Sequence, residues 1–494
     1  MKKSGTKSGK IHQQEWLKLH PYDVPHPSDS YFVTLSNRML GVVDRMIGDE
    51  ISSKAKKTIA LSVAAYFEDV ISGFGLWQGF TRKHFSMYGK YLPFYELADD
   101  YIPEEINPED VSFLIWSIMQ LEEKDERVLN PENIGIVSLG TVLFAILDEE
   151  YETAPDNETL QDFFTKTVDY DNFIDFRTIV SWFYYDSYLM APYTAECLDR
   201  ELDGLKQQKG DKKMKDAVAY TVINELIFKN PCGPLALKTF EWFGAIVGED
   251  TDLGKMLLRT RFKCKMPKTY LITDKDEISL TLLPFDSDEP LFLPHDTFKD
   301  KIPYKIGEAI LCNLVYFNGR WELNGFMVEI PAEQYEKDRE EAETKRDNIK
   351  YSIGLFLKAT KNKPICYFKN EKDVVAFFNT AFALKEKTKT NHFEGRENFL
   401  SFAEHENGIV TIENIAMYVK EKDNPCYDKE RAENSGLSLI AVYELSRELI
   451  EYLIKNNLIP DLYMNSMQGK EHGRKLVQDN LDFMFRFFQP FSYR

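Results

Sequence analysis

The stretch YFEDVISGFGLWQGFTRKHFSMYGKYLPFY holds residue types that acid–base catalysis uses. It contains an adjacent carboxylate pair, Glu68 and Asp69, followed by a histidine. Two carboxylates can act as general acid and base when they converge on one substrate. Adjacent residues on a helix point in different directions, so these two do not converge. The pattern therefore favours a structural role, in which a half-buried Glu68 pairs with Arg82 or Lys83.

The elements that position these residues follow from the spacing of the apolar side chains. Ile59, Val63, Phe67 and Val70 recur every three or four residues and predict a helix. Gly73-x-Gly75 is typical of a helix end. The motif follows a helix rather than a strand, so it does not fit a dinucleotide-binding loop. The aromatic residues that come next predict packing in the core.

The same stretch, together with YIPEEINPEDVSFLIW, LDEEYETAPDNETL and NLDFMFRFF, resembles an uncharacterised bacterial protein family, domain of unknown function 3843. The resemblance spans nearly the whole chain. It implies cytoplasmic bacterial proteins of about this length with no assigned activity, and it supplies no catalytic residue. Within the signature we expect structural roles for Glu68, Asp69, Trp77, Arg82 and Tyr91.

Helical patterns continue over residues 29–258. Asn107-Pro108 and Asn130-Pro131 each place a good N-cap residue before a proline and acidic residues, so each predicts a helix start. Near the C-terminus, LIAVYELSRELIEYLIK and RKLVQDNLDFMFRFF each predict a helix.

Near residue 260 the helical pattern gives way to short apolar runs rich in residues that favour β-strands. Asn318-Gly319 between two such runs predicts a tight β-hairpin. The sequence thus predicts an α+β protein with four parts. These are a flexible tail (1–28), an all-α domain (29–258), a β-rich, barrel-like or sandwich module (259–331) and a mixed α/β region (332–494).

Other chemistry has weaker signals. The run that starts at Asp169 begins like a calcium loop, but Ile174 and Val180 occupy the places of the required glycine and glutamate. His392 and His405 form a metal or hydrolytic site only if the fold brings them together. Zinc spacing, nucleophile-elbow, phosphate-loop and kinase motifs do not occur in the sequence. We therefore expect no metal and no cofactor.

Composition indicates a folded protein of a reducing compartment. Hydrophobic residues make up 43% and aromatic residues 14% of the 494 residues, which argues against disorder. The six cysteines are scattered, as expected for free thiols in the cytoplasm. We find no apolar run long enough for a signal peptide or a membrane span, so we expect a cytoplasmic protein.

The charge distribution is uneven along the chain. Residues 96–175 hold 22 Asp and Glu against 3 Lys and Arg, a net of −19, which equals the net charge of the whole chain. Residues 345–396 hold 12 Lys and Arg against 5 Asp and Glu, a net of +7. The two regions are either solvated faces or binding surfaces. Basic side chains beside an aromatic residue suit single-stranded nucleic acid, and the candidate contacts are Lys358, Lys361, Lys363, Lys385, Lys387, Lys389, Arg396 and Trp321.

The sequence favours a non-catalytic binding or scaffold protein with a protein partner. One alternative is a nucleic-acid-associated protein that uses residues 345–396. Another is a hydrolase with an unrecognised carboxylate–histidine site, such as Glu68 with His84. The sequence leaves open whether the protein is an enzyme, with the balance toward no catalysis, and it does not identify the partner.

Overall fold

The computed structural model describes residues 9–123, 127–206, 212–260, 264–298, 304–383 and 395–494. Helices hold 53% of the residues and strands 13%, and the strands form antiparallel sheets. The chain is therefore α+β, as the sequence predicts.

Helices precede the first strand, in agreement with the periodic apolar pattern. Their bounds are α1 (Gln13–Leu17), α2 (Asp29–Ile47), α3 (Ser53–Ser72), α4 (Leu76–Tyr88), α5 (Pro108–Glu122), α6 (Ile134–Glu150), α7 (Phe173–Tyr185), α8 (Ala191–Lys206), α9 (Lys212–Lys229), α10 (Thr239–Val247) and α11 (Asp252–Thr260). Gly73 and Gly75, both with positive φ (63° and 92°), separate α3 from α4 as the motif predicts. In the described part of the chain no single helix has the length and apolar composition of a membrane span. Helices α3 and α4 reach that composition only together, and they are bent by 88°.

One predicted helix start is confirmed, and the other helix begins further along the chain than predicted. Helix α5 starts at Pro108 as predicted, although the Asn107 side chain does not cap it. Asn130-Pro131 forms a turn instead of a start. Helix α6 begins three residues later, where the Asn133 side chain accepts a hydrogen bond from the Gly135 N–H.

The prediction of a flexible tail over residues 1–28 is wrong for residues 9–28, which the structure describes. Ile11 and Trp16 are fully buried, and α1 packs against α2. The Lys/Gly/Ser-rich composition that suggested a tail belongs to residues 1–8, which lie outside the described residues. The later segment IHQQEW contains Ile11 and Trp16, whose side chains pack in the core.

The β-rich part is one five-stranded antiparallel sheet in the order β3-β2-β1-β4-β5. The strands are β1 (Cys264–Lys275), β2 (Ser279–Pro284), β3 (Leu291–Pro294), β4 (Ala309–Phe317) and β5 (Arg320–Ile330). The predicted hairpin is confirmed, because Asn318 and Gly319 join β4 and β5 with φ of 44° and 87°, as a two-residue turn of type I′ requires.

The barrel-like closure predicted for this module is wrong, because the sheet is open. Its edges approach each other through side chains. The Thr297 hydroxyl donates to Glu322 at 2.8 Å and accepts the Leu323 N–H at 3.0 Å. Alternating apolar residues specify pairing between neighbouring strands, but they do not specify whether the two edge strands pair.

The C-terminal region is mixed, as predicted. It contains α12 (Ala332–Ala359), β6 (Ile365–Asn370), α13 (Glu371–Ala381), β7 (Glu397–Glu404), β8 (Gly408–Ile412), α14 (Lys429–Ser435), α15 (Ser438–Ala441), α16 (Arg447–Lys455), α17 (Lys470–Gln478) and α18 (Leu481–Phe488). Strands β6, β7 and β8 form a second antiparallel sheet in that order.

Two C-terminal helices predicted as continuous are each broken. The first is divided into α15 and α16, and the Ser446 hydroxyl caps α16. The second is divided into α17 and α18 between Gln478 and Leu481. At this second break Asn480 is buried and bonded to the N-terminal helical part, so a tertiary contact overrides the local helical pattern.

The main hydrophobic core joins the two ends of the chain. It includes Trp16 and Trp116 from the N-terminal helices together with Leu449 and Phe483 from the C-terminal helices. The five-stranded sheet has a smaller core of its own, built around Tyr270, Leu282 and Ile310 among others.

Gly79 permits a close contact between α4 and α10. A Cβ atom at Gly79 would lie 2.7 Å from Cγ1 and 3.2 Å from Cα of Ile246. We expect Gly79→Ala to lower the free energy of unfolding by about 1–3 kcal/mol, because overpacking forces the helices apart. The control is Gly41→Ala in α2, where a Cβ meets nothing within 4 Å. This control should raise stability by up to about 1 kcal/mol through helix propensity. Urea unfolding of both variants checks the prediction, and equal effects would contradict it.

Candidate functional site

The corner between α3 and α4 is fixed by a buried carboxylate. Asp69 is 2% exposed and accepts the backbone N–H groups of Gly75 (2.7 Å), Leu76 (3.2 Å) and Trp77 (2.7 Å), and the Tyr188 hydroxyl (2.6 Å). Burial raises the pKa of Asp69 to about 6, and these four donors oppose the rise. The side chain thus caps α4 and orients it.

Glu68 belongs to a different buried network. It is 1% exposed, and its carboxylate contacts His20 Nε2 at 2.6 Å and accepts from Asn157 Nδ2 at 3.0 Å. The predicted pairing with Arg82 or Lys83 is wrong, because Lys83 bonds Glu249 at 2.5 Å and Arg82 is exposed. The partner was missed because His20 lies in the segment predicted to be a tail.

The other signature residues have packing contacts. Trp77 is 1% exposed, and its ring contacts those of Tyr66 and Phe80. Tyr91 stacks on Phe85 with ring centroids 4.7 Å apart, and on Tyr101 with centroids 5.7 Å apart.

His84 lies on α4, separate from Glu68. Gly89, with φ of 72°, ends α4 and lets the chain turn so that the Lys90 carbonyl lies 2.6 Å from His84 Nδ1. Burial lowers the pKa of His84 to about 4, so the ring is neutral near pH 7. Nδ1 therefore donates to Lys90, and Nε2 is a hydrogen-bond acceptor. Nε2 is buried and has no partner among the described residues.

His84 lines a cleft between α4 and the C-terminal helices α16, α17 and α18. The cleft has a volume of about 620 Å³, within the range of small-ligand sites. Apolar and polar side chains both contribute to its lining. The apolar lining residues are Leu453, Ile454, Ile459, Pro460, Val477, Leu481 and Phe483; the polar ones are His84, Tyr88, Asn457, Asp461, Gln478, Asp479, Asn480 and Asp482.

Hydrogen bonds across the cleft hold its two walls together. Tyr88 on α4 donates to Asp482 on α18 at 2.5 Å. Asn480 accepts from Lys90 Nζ at 2.6 Å and from the Phe94 N–H at 2.9 Å. These contacts join residues almost 400 positions apart, which explains why periodicity and motif spacing did not identify the cleft.

The described part of the lining limits the chemistry of the cleft. It offers the carboxylates of Asp461 and Asp479 and the lone pair of His84 Nε2 as hydrogen-bond acceptors for a ligand that carries N–H groups. Asp482 is already bonded to Tyr88 and, within α18, to Arg486 Nε at 2.8 Å. It contains no serine, cysteine or threonine that His84 could activate as a nucleophile. The acceptors therefore suit a ligand that carries a cationic group.

Two of the predicted nucleic-acid contacts that the structure describes are paired with carboxylates. Lys363 forms 3.0 Å ion pairs with Glu421 and Asp423, and Arg396 pairs with Glu413 at 2.7 Å. Lys358 and Lys361 are exposed. Lys385, Lys387 and Lys389 lie outside the described residues. Trp321 is on β5 in the other sheet, half-buried against Tyr316.

The acidic region 96–175 has contacts elsewhere in the protein. In the described ranges its ion pairs with the rest of the chain run to Arg38, His472 and Lys475. Two of these partners are on α17, so part of the acidic surface holds the C-terminal helices in place.

Two further candidate sites have other contacts among the residues that the structure describes. His405 is exposed and bonds Glu448 at 2.7 Å, whereas His392 lies outside the described residues. In the calcium-like run, Asp169 accepts the Asp171 N–H, and Asn172 caps α7. The run is therefore a capping turn at a helix start.

A family model described as a protein of unknown function (DUF3843) matches residues 10–266 and 321–489. The chain belongs to this family. No curated protein and no solved structure matches the chain. In this DUF3843 protein the matched segments contain both walls of the cleft, α4 and α16–α18. The unmatched residues 267–320 cover most of the five-stranded sheet, so the cleft lies within the family-defining part of the chain.

Proposed function

We propose that the protein is a non-catalytic binding protein whose cleft receives a lysine or arginine side chain of a protein partner. The observation that supports this is the lining. It combines apolar side chains with the exposed aspartates Asp461 and Asp479, and the described lining contains no lysine or arginine. Lysine and arginine bury their aliphatic stem on apolar surface and keep the charged head in a polar place.

The individual acceptors fit a cationic head group. Asp461 and Asp479 are exposed and offer carboxylates to an incoming cation. The Asp461 carboxylate lies 3.6 Å from Lys420, a long and exposed pair that contributes little binding energy. The neutral His84 ring adds an acceptor that does not repel a cation, because its pKa is lowered to about 4 by burial.

The surroundings support the same proposal. The net charge of −19 favours association with a basic protein through long-range attraction. The described cysteines Cys197, Cys232, Cys312, Cys366 and Cys426 are not in disulfides, which supports a cytoplasmic location. Nucleic-acid binding has less support, because Lys363 and Arg396 are already neutralised by carboxylates.

The test uses the exposed aspartates of the cleft, because their replacement does not disturb the core. We expect the double variant Asp461→Asn, Asp479→Asn to bind lysine- and arginine-containing peptides more than about tenfold more weakly, since a charge pair at an interface contributes about 1.5 kcal/mol or more. Fluorescence anisotropy with labelled peptides at fixed salt measures the affinity.

The matched control is Asp99→Asn, Asp100→Asn, which removes the same charge from exposed positions outside the cleft, in the acidic region 96–175. This control should bind like the unmodified protein. If both double variants lose affinity equally, the attraction is unspecific and the cleft is not the site. If neither variant loses affinity, or if no basic peptide binds, the proposal fails.

A further inference from the structure

A second polar cluster, independent of the cleft, lies where the N-terminal segment meets α2 and α3. His20 follows α1, Asp29 is the first residue of α2, and Glu68 is in the last turns of α3. These three residues are 6%, 0% and 1% exposed. His20 offers a ring nitrogen and each acid offers a carboxylate oxygen, and these three atoms all lie within 4.8 Å of one another.

The two carboxylates of this cluster have one basic side chain beside them among the described residues, His20. Asp29 accepts from Trp16 Nε1 (3.0 Å), the Tyr22 hydroxyl (3.0 Å) and the His26 N–H (2.7 Å). All three donors are neutral. Among the residues that the structure describes, Glu68 has Asn157 and His20 as partners. Buried charges in proteins are normally paired with an opposite charge or bound to a metal.

The orientation of His20 points to a cation. Its Nδ1 lies 3.0 Å from the Trp16 carbonyl oxygen, which only accepts, so Nδ1 donates and Nε2 faces the Glu68 carboxylate 2.6 Å away. This contact holds a proton between the two atoms, or a metal ion once they move apart. A histidine that binds a metal almost always donates its other N–H to a carbonyl or a carboxylate, as His20 does here.

We propose that His20 Nε2 and the carboxylates of Asp29 and Glu68 bind one divalent transition metal ion. A donor set of one imidazole and two carboxylates suits Zn²⁺ and its neighbours in the first transition row. Ligands of one such ion lie at about 2.0–2.2 Å from it, so the Nε2 and carboxylate oxygen must separate to about 3 Å on binding. Tyr22 and Asn157 orient the carboxylates from outside the donor set.

The role of the ion would be structural. The ligands come from three separate elements, so one ion fastens residues 9–28 onto α2 and α3. Such a site forms only in the folded chain, so metal binding adds to the stability of the fold. The sequence predicted no metal because His20 and Glu68 are 48 positions apart and form no recognised motif.

The test compares the full-length protein with two variants. Glu68→Gln keeps the shape of the side chain, and its amide can donate to His20 Nε2 and accept from Asn157, so a pure hydrogen-bond network survives this change. His405→Gln is the matched control, because His405 forms a similar 2.7 Å contact with Glu448 on the surface. Each protein is stripped with a chelator, incubated with Zn²⁺ and dialysed. Metal content and thermal midpoint are then measured, with Co²⁺ in place of Zn²⁺ for absorption spectra.

For the unmodified protein and His405→Gln we expect one Zn²⁺ per chain, a higher thermal midpoint with the ion, and Co²⁺ d–d bands. Glu68→Gln should fold but bind more than about tenfold more weakly, because loss of even an outer-shell partner costs that much. The proposal is overturned if the unmodified protein retains no metal. It is also overturned if Glu68→Gln binds as well as the unmodified protein.

Discussion

Replacing Phe483 with alanine should lower the free energy of unfolding by about 3–5 kcal/mol, the usual cost of deleting a buried aromatic ring. Phe483 is 1% exposed, and its ring contacts Phe94, Phe113, Trp116 and Phe487. The first three contacts belong to the N-terminal helical part, so the change opens a cavity at the contact between the two ends of the chain.

The same contact predicts that the two ends unfold together. The hydrophobic core is continuous from Trp16 to Phe483, so the variant should lose N-terminal and C-terminal structure at one lowered midpoint. Urea unfolding followed by tryptophan fluorescence and circular dichroism measures both. The control is Phe292→Ala on β3, where the ring is 60% exposed and little stability should be lost. An N-terminal part that keeps its midpoint in Phe483→Ala would contradict a shared core.

The sequence correctly predicted features that depend on interactions between residues close together in the chain. The apolar spacing of α3, the glycines between α3 and α4, and the Asn318-Gly319 hairpin all depend on residues within a few positions of one another. Backbone preference and short hydrogen bonds decide these features before any tertiary contact forms.

Tertiary contacts decided the features that the sequence did not predict. The break at Asn480 exists because its side chain binds Lys90 and the Phe94 N–H. Glu68 pairs with His20 because Trp16 anchors the preceding segment in the core. In both cases the partner is far away along the chain, and nothing in the local pattern identifies it.

The four-part division of the chain stays a prediction. Composition alone also does not show whether a charged region is free to bind a partner. The acidic region supplies Glu96 and Glu132, which bind Lys475 and His472 on α17. Part of the negative charge of residues 96–175 is thus used in contacts within the protein. The cleft could not be predicted for the same reason, since its walls come from α4 and from α16–α18.

Asp110 should make the protein less stable as the pH rises from about 4 to about 8. It is fully buried and accepts from Tyr66 (2.7 Å), Tyr101 (3.0 Å) and Asn107 (3.1 Å), all neutral donors. Burial raises its pKa from 3.8 to about 7, a change that corresponds to about 4 kcal/mol. The folded state therefore binds the proton more tightly than the unfolded state does, and the stabilisation is lost as the carboxyl ionises.

Asp110→Asn isolates this effect, because asparagine keeps the shape of the neutral carboxyl and does not ionise. Other groups titrate in the same window. Asp69 acts in the same direction, because its pKa is raised to about 6, whereas His84 acts in the opposite direction, because its pKa is lowered to about 4. Both are present in the variant and in the unmodified protein, so comparing the two proteins removes their contribution.

We expect the stability of Asp110→Asn relative to the unmodified protein to rise by about 4 kcal/mol between pH 4 and pH 8. Urea unfolding at intervals of pH measures it, with the exposed Asp156→Asn as the control that should show no such trend. A change below about 1 kcal/mol would mean that the Asp110 carboxyl ionises like an exposed one. In that case the three neutral donors around it would be sufficient to stabilise a buried negative charge.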